Sequence, residues 1–334
     1  MKRRNSLKVI AYLSAAAALM AIVPAAHAQN KTVIKVGWTT SDGAQDPYAI
    51  GARAFKTEVE KNTKGSVEVQ LFPNRQLGDE RQMLEGMRFG TVDAGVITNA
   101  VIGQIEPAFS VNDLPFLFAS EEQAHKALDG ALGTDLGKRV ESKGIVALGY
   151  MEGGFRNMIN NKRPVSAPVD IQGVKYRVMQ NPIYIDMFNS LGGAAVPMAW
   201  GETFTAVQQG TIDGLEIPLA VIEANKYYEV TKFLSLTNHT YSMIGLMVSK
   251  RTLDKLTPEQ RAAVIAAGKA ATIQQRTTVK ADTKGILTKL EKSGMKVNTI
   301  SDVAAFRKGV APLYDKYRQA GNGSLLDLAL NASK

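Results

Sequence analysis

The sequence predicts an α/β protein with two lobes, and three observations carry that expectation. Strand and helix patterns alternate from residue 32 onward, one segment is echoed 120 residues later, and two apolar stretches each lead from one alternating region into the next. Alternating residues in "TVIKVGW" (32–38) and "SVEVQLF" (66–72) read as strands. Between them, residues 47–60 place Ile50, Ala54, Phe55 and Val59 on one helical face. "GDERQMLEGMRFG" follows as a helix closed by Gly90, and "VDAGVIT" (92–98) as a third strand, so the sheet is expected to be mainly parallel.

The echo pairs "GTVDAGVI" from Gly90 with "GTIDGLEI" from Gly210, each after an amphipathic helix and at the start of a strand. Either two common helix-to-strand turns coincide, or the chain holds two similar α/β lobes. "IVALGYMEGGFRNMINNKRPV" (145–165) and "TNHTYSMIGLMVSK" (237–250) have the character of crossings between them. Two crossings make discontinuous domains: residues 29–154 with 243–300 as one lobe, 155–242 as the other, and 301–334 as a helical segment packing across both. In "TPEQRAAVIAAG", Thr257 as N-cap, Pro258 and Gln260 form a capping box that opens a long helix, with weak points at Gly268 and Gly285 and a stop at Gly294. "MKVNTI" (295–300) reads as a short edge strand. Ser301 is expected to cap a last helix with Val303, Phe306, Val310 and Tyr314 inward.

The first 28 residues have the form of a secretory leader. Lys2, Arg3, Arg4 and Lys8 precede a short apolar run that ends in the small-residue site Ala26-His27-Ala28. No later segment is apolar enough to span a bilayer. Removing four bases and no acids lowers the formal charge from +9 to about +5, scattered without the basic stripe and interleaved aromatics that nucleic acid requires. About 306 residues remain, enough for two domains. An exported chain without cysteine has neither disulfides nor thiolate chemistry, and only His125 and His239 survive processing. His125, in "SEEQAHKAL", reads as a helix-surface residue. The expected location is the periplasm of a Gram-negative bacterium.

The signatures of catalysis are missing: no nucleophile elbow, no dinucleotide fingerprint and no two-histidine zinc helix. "GTDLGKR" (133–139) lacks the first glycine and the final hydroxyl of a phosphate loop and reads as helix surface. Asp213 and Glu216 could form an acid–base pair, but charged turns supply such pairs by chance. The positive signals cluster at the crossings. In "GVKYRVMQNP", Arg177 interrupts a run that alternates Val174, Tyr176 and Val178 against Lys175, Arg177 and Met179. It is either part of a solvated face or a guanidinium fork held for a carboxylate. Arg156 is either a salt-bridge partner or a second cation of an anion pocket, and Trp200, before a helix, either packs the core or lines a cleft.

The chain resembles the substrate-binding proteins of tripartite ATP-independent periplasmic (TRAP) transporters, the DctP type. The resemblance rests on "QLFPNRQLGDERQMLEGMRFGTVDAGV", "FSVNDLPFLFAS", "GFRNMINNKRPV", "DIQGVKYRV" and "GAAVPMAWGETFTAVQQGTIDGLEIPLAVIEANKYYEVTKFLSLTNH". It implies two lobes with mixed sheets, joined by crossing hinge strands and a long helix, closing over one ligand. No cofactor is implied, and the partners would be the small and large membrane subunits of a permease. The family's carboxylate-binding arginine falls on Arg177, a second arginine of some members on Arg156, and the aromatic of sialic-acid binders on Trp200.

Two positions depart from those sialic-acid binders: a polar contact falls on Ile217 and an early acidic contact on Thr98. Because Ile217 cannot hydrogen-bond and Thr98 carries no charge, a large polyhydroxylated sugar acid is disfavoured. The expected ligand is a hydroxy-, keto- or aromatic monocarboxylate, or a short dicarboxylate. Tyr48, Phe155 and Trp200 fit an apolar or aromatic body, and Arg156 a second carboxylate. The competing readings are an organic-acid sensor or adaptor and a periplasmic lyase or isomerase.

Overall fold

The structure, a computed structural model, describes residues 31–332; the leader reading at residues 1–28 lies outside them. The elements run β1 (Thr32–Gly37), α1 (Pro47–Asn62), β2 (Val67–Phe72), α2 (Glu80–Phe89), β3 (Ala94–Thr98), α3 (Asn99–Ile105), α4 (Glu121–Asp129), α5 (Ala131–Glu141) and β4 (Ile145–Asn160). The second half holds β5 (Lys175–Val178), α6 (Pro182–Ser190), β6 (Ala194–Pro197), α7 (Trp200–Gln208), β7 (Gly214–Pro218), α8 (Leu219–Ala224) and β8 (Phe233–Ser249). It ends with α9 (Lys250–Asp254), α10 (Pro258–Lys292), β9 (Lys296–Thr299), α11 (Val303–Tyr317) and α12 (Gly323–Ala332). "GTDLGKR" lies within α5, where Arg139 pairs with Asp135. No helix among the described residues is long and apolar enough to cross a membrane.

Strands β4 and β8, 16 and 17 residues long, pair antiparallel along most of their lengths and belong to both lobes. The sheet order is β2-β1-β3-β8-β4-β7-β5-β6, with β9 on β8. The late half of β8 carries β3, from Ala94↔Val248 to Thr98↔Ile244, while the late half of β4 carries β7, from Arg156↔Pro218 to Asn160↔Gly214. Register shifts at Ala147/Gly149, Glu152/Gly154 and Arg156/Met158 bend the shared pair where it passes between the lobes. The sheet is therefore mixed, with three parallel strands in each lobe beside the antiparallel crossing pair. β9 pairs with Phe233–Leu236, the early part of β8.

The echo is a structural repeat. Gly90 and Gly210 end α2 and α7 with φ of 80° and 71°, a left-handed turn that only glycine adopts without strain. After each, the next aspartate crosses to the neighbouring strand: the Lys35 amide donates to Asp93 (3.0 Å) and the Lys175 amide to Asp213 (2.9 Å). Val36 and Gly37 then pair with Ala94 and Gly95 as Tyr176 and Arg177 pair with Gly214 and Leu215. Arg177 thus holds in the second lobe the place that Gly37 holds in the first.

α10, 35 residues and about 52 Å long, runs without interruption through both expected weak points. Its Val264, Ala267, Ala271, Gln275, Val279, Ile286 and Leu290 are buried at helical spacing against α1, β4 and α8. The buried Gln275 amide donates to the carbonyls of Pro47 and Glu152 and accepts from the Glu152 amide, tying the helix to the crossing strand. Lys289 reaches Glu223 of the second lobe (3.7 Å) and Gln45 of the first. Asp302, rather than Ser301, caps α11 by accepting from the Ala305 amide. One turn of register follows from that start: Phe306, Val310, Leu313 and Tyr317 are buried, while Val303 is exposed and Tyr314 half-buried. α11 packs on α6 and α12 on α4, bracing both lobes from one side.

Gly268 is a site of close approach. A Cβ there would stand 2.6 Å from the Leu148 Cβ and 3.1 Å from its carbonyl oxygen, whereas nothing lies within 4 Å of one at Gly285. Gly268→Ala is expected to destabilise by about 1–3 kcal/mol, because helix or strand must shift. Gly285→Ala is expected to stabilise by roughly 0.5–1 kcal/mol, the ordinary helix preference. Urea denaturation of the two variants checks the opposite signs.

Candidate ligand-binding site

The cleft-facing walls are built from the carboxyl ends of parallel strands β3, β5 and β7, the position where open α/β sheets expose their ligand sites. Thr98 closes β3, Arg177 lies near the end of β5, and Ile217 and Pro218 end β7. Tyr48 enters from the first turn of α1, Glu80 from that of α2 and Trp200 from that of α7. Arg156 projects from β4, and all these side chains line one cavity. Phe155 does not line it: neighbouring strand residues face opposite ways, and its ring packs edge-on against Tyr241 at 5.5 Å.

The two arginines are buried but unequal. Arg156 is neutralised by Glu216: its Nε donates to Glu216 Oε2 and its Nη2 to Oε1 (2.8 Å) and to the Glu216 carbonyl (2.5 Å), while Nη1 donates to Ser242 (3.3 Å). Four of its five N–H bonds are thereby directed, and the Tyr184 ring lies 5.3 Å from the guanidinium. Burial works against the Glu216 charge, but Arg156 and His239 outweigh it and hold the carboxyl below its usual range. Arg177 is 1 % exposed. Its Nε donates to the Met198 carbonyl (2.9 Å) and its Nη1 to Met179 Sδ (3.4 Å), and among the described residues no carboxylate lies within salt-bridge reach. Burial lowers its pKa, and the Trp200 ring sits 6.0 Å from its guanidinium. A buried cation with an open donor edge is costly unless an anion joins it.

The opposite wall carries a carboxyl, Glu80, whose pKa burial raises above its usual value against the pull of the Thr98 donors and the two arginines. Glu80 Oε1 accepts from the Thr98 amide (2.9 Å) and hydroxyl (2.8 Å), and the Tyr48 hydroxyl lies 2.7 Å from Thr98 Oγ1. Nothing in "GDERQML" signalled Glu80, because an acid in a first helical turn is what the helix dipole alone would favour. Asp213 and Glu216 do not converge: Asp213 binds the Lys175 amide and Lys162, whereas Glu216 faces Arg156 and His239. His125 is more than a surface residue, since its Nε2 is 2.8 Å from buried Glu152, which also accepts from Tyr241.

Two polar clasps hold the walls together. On one side Asn225 of the second lobe donates to Asp46 (3.1 Å) and accepts from the Ser41 amide (3.0 Å). On the other, Asn181 donates to Asp113 (3.1 Å) and to the Ala100 carbonyl (3.2 Å), and Tyr184 donates to Asp113 (3.3 Å). The lobes are in contact on both flanks of the cavity.

The sequence model of the family described as "Bacterial extracellular solute-binding protein, family 7", DctP, matches residues 39–320. The chain belongs to the DctP family of TRAP periplasmic solute-binding proteins. DctP proteins are non-catalytic transport components that act in the periplasm. The chain is similar to a TRAP periplasmic solute-binding protein from Polaromonas sp. JS666 bound to D-erythronate, with 39% identity and a TM-score of 0.86 over 90% of this chain and 98% of that one. It is also similar to one from Sulfitobacter sp. NAS-14.1 with bound β-D-galacturonate, with 36% identity and a TM-score of 0.86 over 89% and 99%. The 2,3-diketo-L-gulonate-binding periplasmic protein of Escherichia coli is 35% identical over 273 residues, 82% of this chain and 83% of that protein.

The clasps make this DctP protein sensitive to pH. Burial, opposed by donors from Thr40, Asn225 and the Tyr48 and Ala49 amides, raises the Asp46 pKa to about 6; burial raises that of Asp113 to about 7. A raised carboxyl pKa contributes stability that is complete below the unfolded value near 3.8 and is lost as pH rises through the folded value. The melting temperature is therefore expected to fall between about pH 4 and pH 7, and Asp113→Asn to flatten that fall. Scanning fluorimetry across the range checks both; an unchanged slope in the variant contradicts the role given to Asp113.

Proposed function

We propose that the protein captures a small carboxylate in this cavity, with Arg177 as the anchor, and delivers it to a permease of small and large membrane subunits. The single observation that carries this reading is the buried Arg177 guanidinium with an open fork and, among the described residues, no carboxylate partner. Two parallel N–H bonds from such a fork match a carboxylate. Arg156, already paired with Glu216, contributes one remaining N–H and adjusts the orientation of the ligand. Trp200 and Ile217 cover its apolar body, and Thr98 and Tyr48 form the opposing wall.

Transport follows from the crossing strands. The anion meets Arg177 in the open cleft, the β4–β8 pair flexes at its register shifts, and closure removes water from the ion pair. The lobes in this reading are residues 29–154 with 243–300, and 155–242, with residues 301–334 packing across both. The carboxylates named for the Polaromonas, Sulfitobacter and Escherichia coli proteins support a small organic acid as the class.

Arg177→Ala is expected to retain the fold and to lose more than about tenfold in affinity for any carboxylate ligand, measured by titration calorimetry. Full affinity in the variant overturns the anchor.

A further inference from the structure

The rim of the cavity carries a contact that the ligand-facing side chains do not explain. Arg75 follows β2 in "FPNRQLGD", and its guanidinium lies against Gly201 in the first turn of α7. A Cβ on Gly201 would stand 1.6 Å from Nη1 and 2.3 Å from Cζ, so the guanidinium fills the space that a side chain there would need. The backbone that aims it is unusual. Asn74 and Arg75 both lie in the left-handed region, with φ of 53° and 62°, which is uncommon for an arginine. The Asn74 amide donates to the Thr40 carbonyl and the Arg75 amide to the Trp38 carbonyl, both at 3.1 Å, which pins the turn to the residues that follow β1. Ordinary stabilisation does not account for the placement: a helix start disfavours a cation, the Asp79 carboxyl is 3.8 Å away, and among the described residues the guanidinium makes no hydrogen bond. Its location does. Trp200 and Thr39 line the ligand cavity on one side and, on the other, an outer recess lined also by Arg75, Gly201 and Asn225.

We propose that Arg75 and Gly201 form a gate across the cavity mouth, which slows the passage of small solutes between the cavity and solvent while the lobes are together. Arg75 belongs to the first lobe and Gly201 to the second, so the contact forms on closure and breaks on opening. Arg75 does not line the ligand cavity, and it therefore acts on release rather than on recognition. The solvent side of the gate is open, since the Arg75 side chain is 45 % exposed, and the Asn225–Asp46 clasp lies beside it. Glycine is needed at 201 because any side chain there displaces the guanidinium, whose flexible stem lets it swing away without disturbing either lobe. The effect on release of a carboxylate rests on the reading of Arg177 as anchor; the barrier itself does not.

The protein supplies its own reporter. It has two tryptophans, and Trp38 is fully buried, so acrylamide quenching of tryptophan fluorescence reads the access to Trp200 without any ligand. The full mature protein is compared with Arg75→Ala, Arg75→Lys, Gly201→Ala and the double variant Arg75→Ala/Gly201→Ala. Each single change is expected to raise the quenching constant about twofold and, in stopped-flow measurements with D-erythronate or D-galacturonate, the release rate about fivefold, with association within about twofold of its original rate. The double variant is expected to match the single ones, because both changes remove the same contact, and none is expected to melt at a lower temperature. Original quenching and release in Arg75→Ala or Gly201→Ala overturn the gate. So do additive effects in the double variant, and so does a shut gate in Arg75→Lys, which would make charge alone sufficient. If the gate variants are inert while Arg177→Ala abolishes binding, the carboxylate reading survives alone; if quenching responds as expected while neither acid binds, the gate survives alone.

Discussion

The buried ion pair between Arg156 and Glu216 sets the charge of the cleft, and much else follows from it. Both residues sit on the strands that pair at the lobe junction, β4 and β7, two registers apart, Arg156 opposite Pro218 and Glu216 opposite Met158. Their mutual neutralisation lets β4 carry a guanidinium through a region with almost no solvent exposure. Removing one partner of such a pair costs about 3–5 kcal/mol because the other charge is stranded. Arg177 has no such partner. Two arginines that look alike in sequence therefore divide their labour: one is structural and satisfied, the other is held in readiness by Met198, Met179 and Trp200.

That division links the fold to the transport cycle. An uncompensated buried cation makes the closed state costly without an anion, and the Asn225–Asp46 and Asn181–Asp113 clasps offset part of that cost. In the function proposed above, a ligand carboxylate supplies the missing charge, so that occupancy and closure favour each other through one interaction. In that proposal the β4–β8 pair, with its three register shifts, is the element that flexes, and α10 packs along both α1 and α8.

Much of this was legible in the chain. The Gly90/Gly210 echo carried the two-lobed repeat because a left-handed glycine followed by an aspartate that caps the neighbouring strand is a local device, written in contiguous residues. Arg177 was legible because a charge in an apolar strand must be explained. What was not legible depended on long-range packing. Gly268 looks like a helix weakness until Leu148 is seen against it. Phe155 was offered with Tyr48 and Trp200 as a surface for an apolar or aromatic ligand, although strand parity sends it to the other face from Arg156, and the register shift beside it obscures that parity in sequence. Glu80 was hidden because the same acid suits a helix start, and Asp113 and Asn181, 68 residues apart, are brought together only by the tertiary fold.

The most direct measurement is a crystal structure of the mature protein grown with D-erythronate or D-galacturonate. The carboxylate is predicted to lie on Arg177, its two oxygens roughly 2.7–2.9 Å from Nη1 and Nη2, with Glu216 still on Arg156. A carboxylate seated away from Arg177, or an Arg156 released from Glu216 to take its place, would contradict the account.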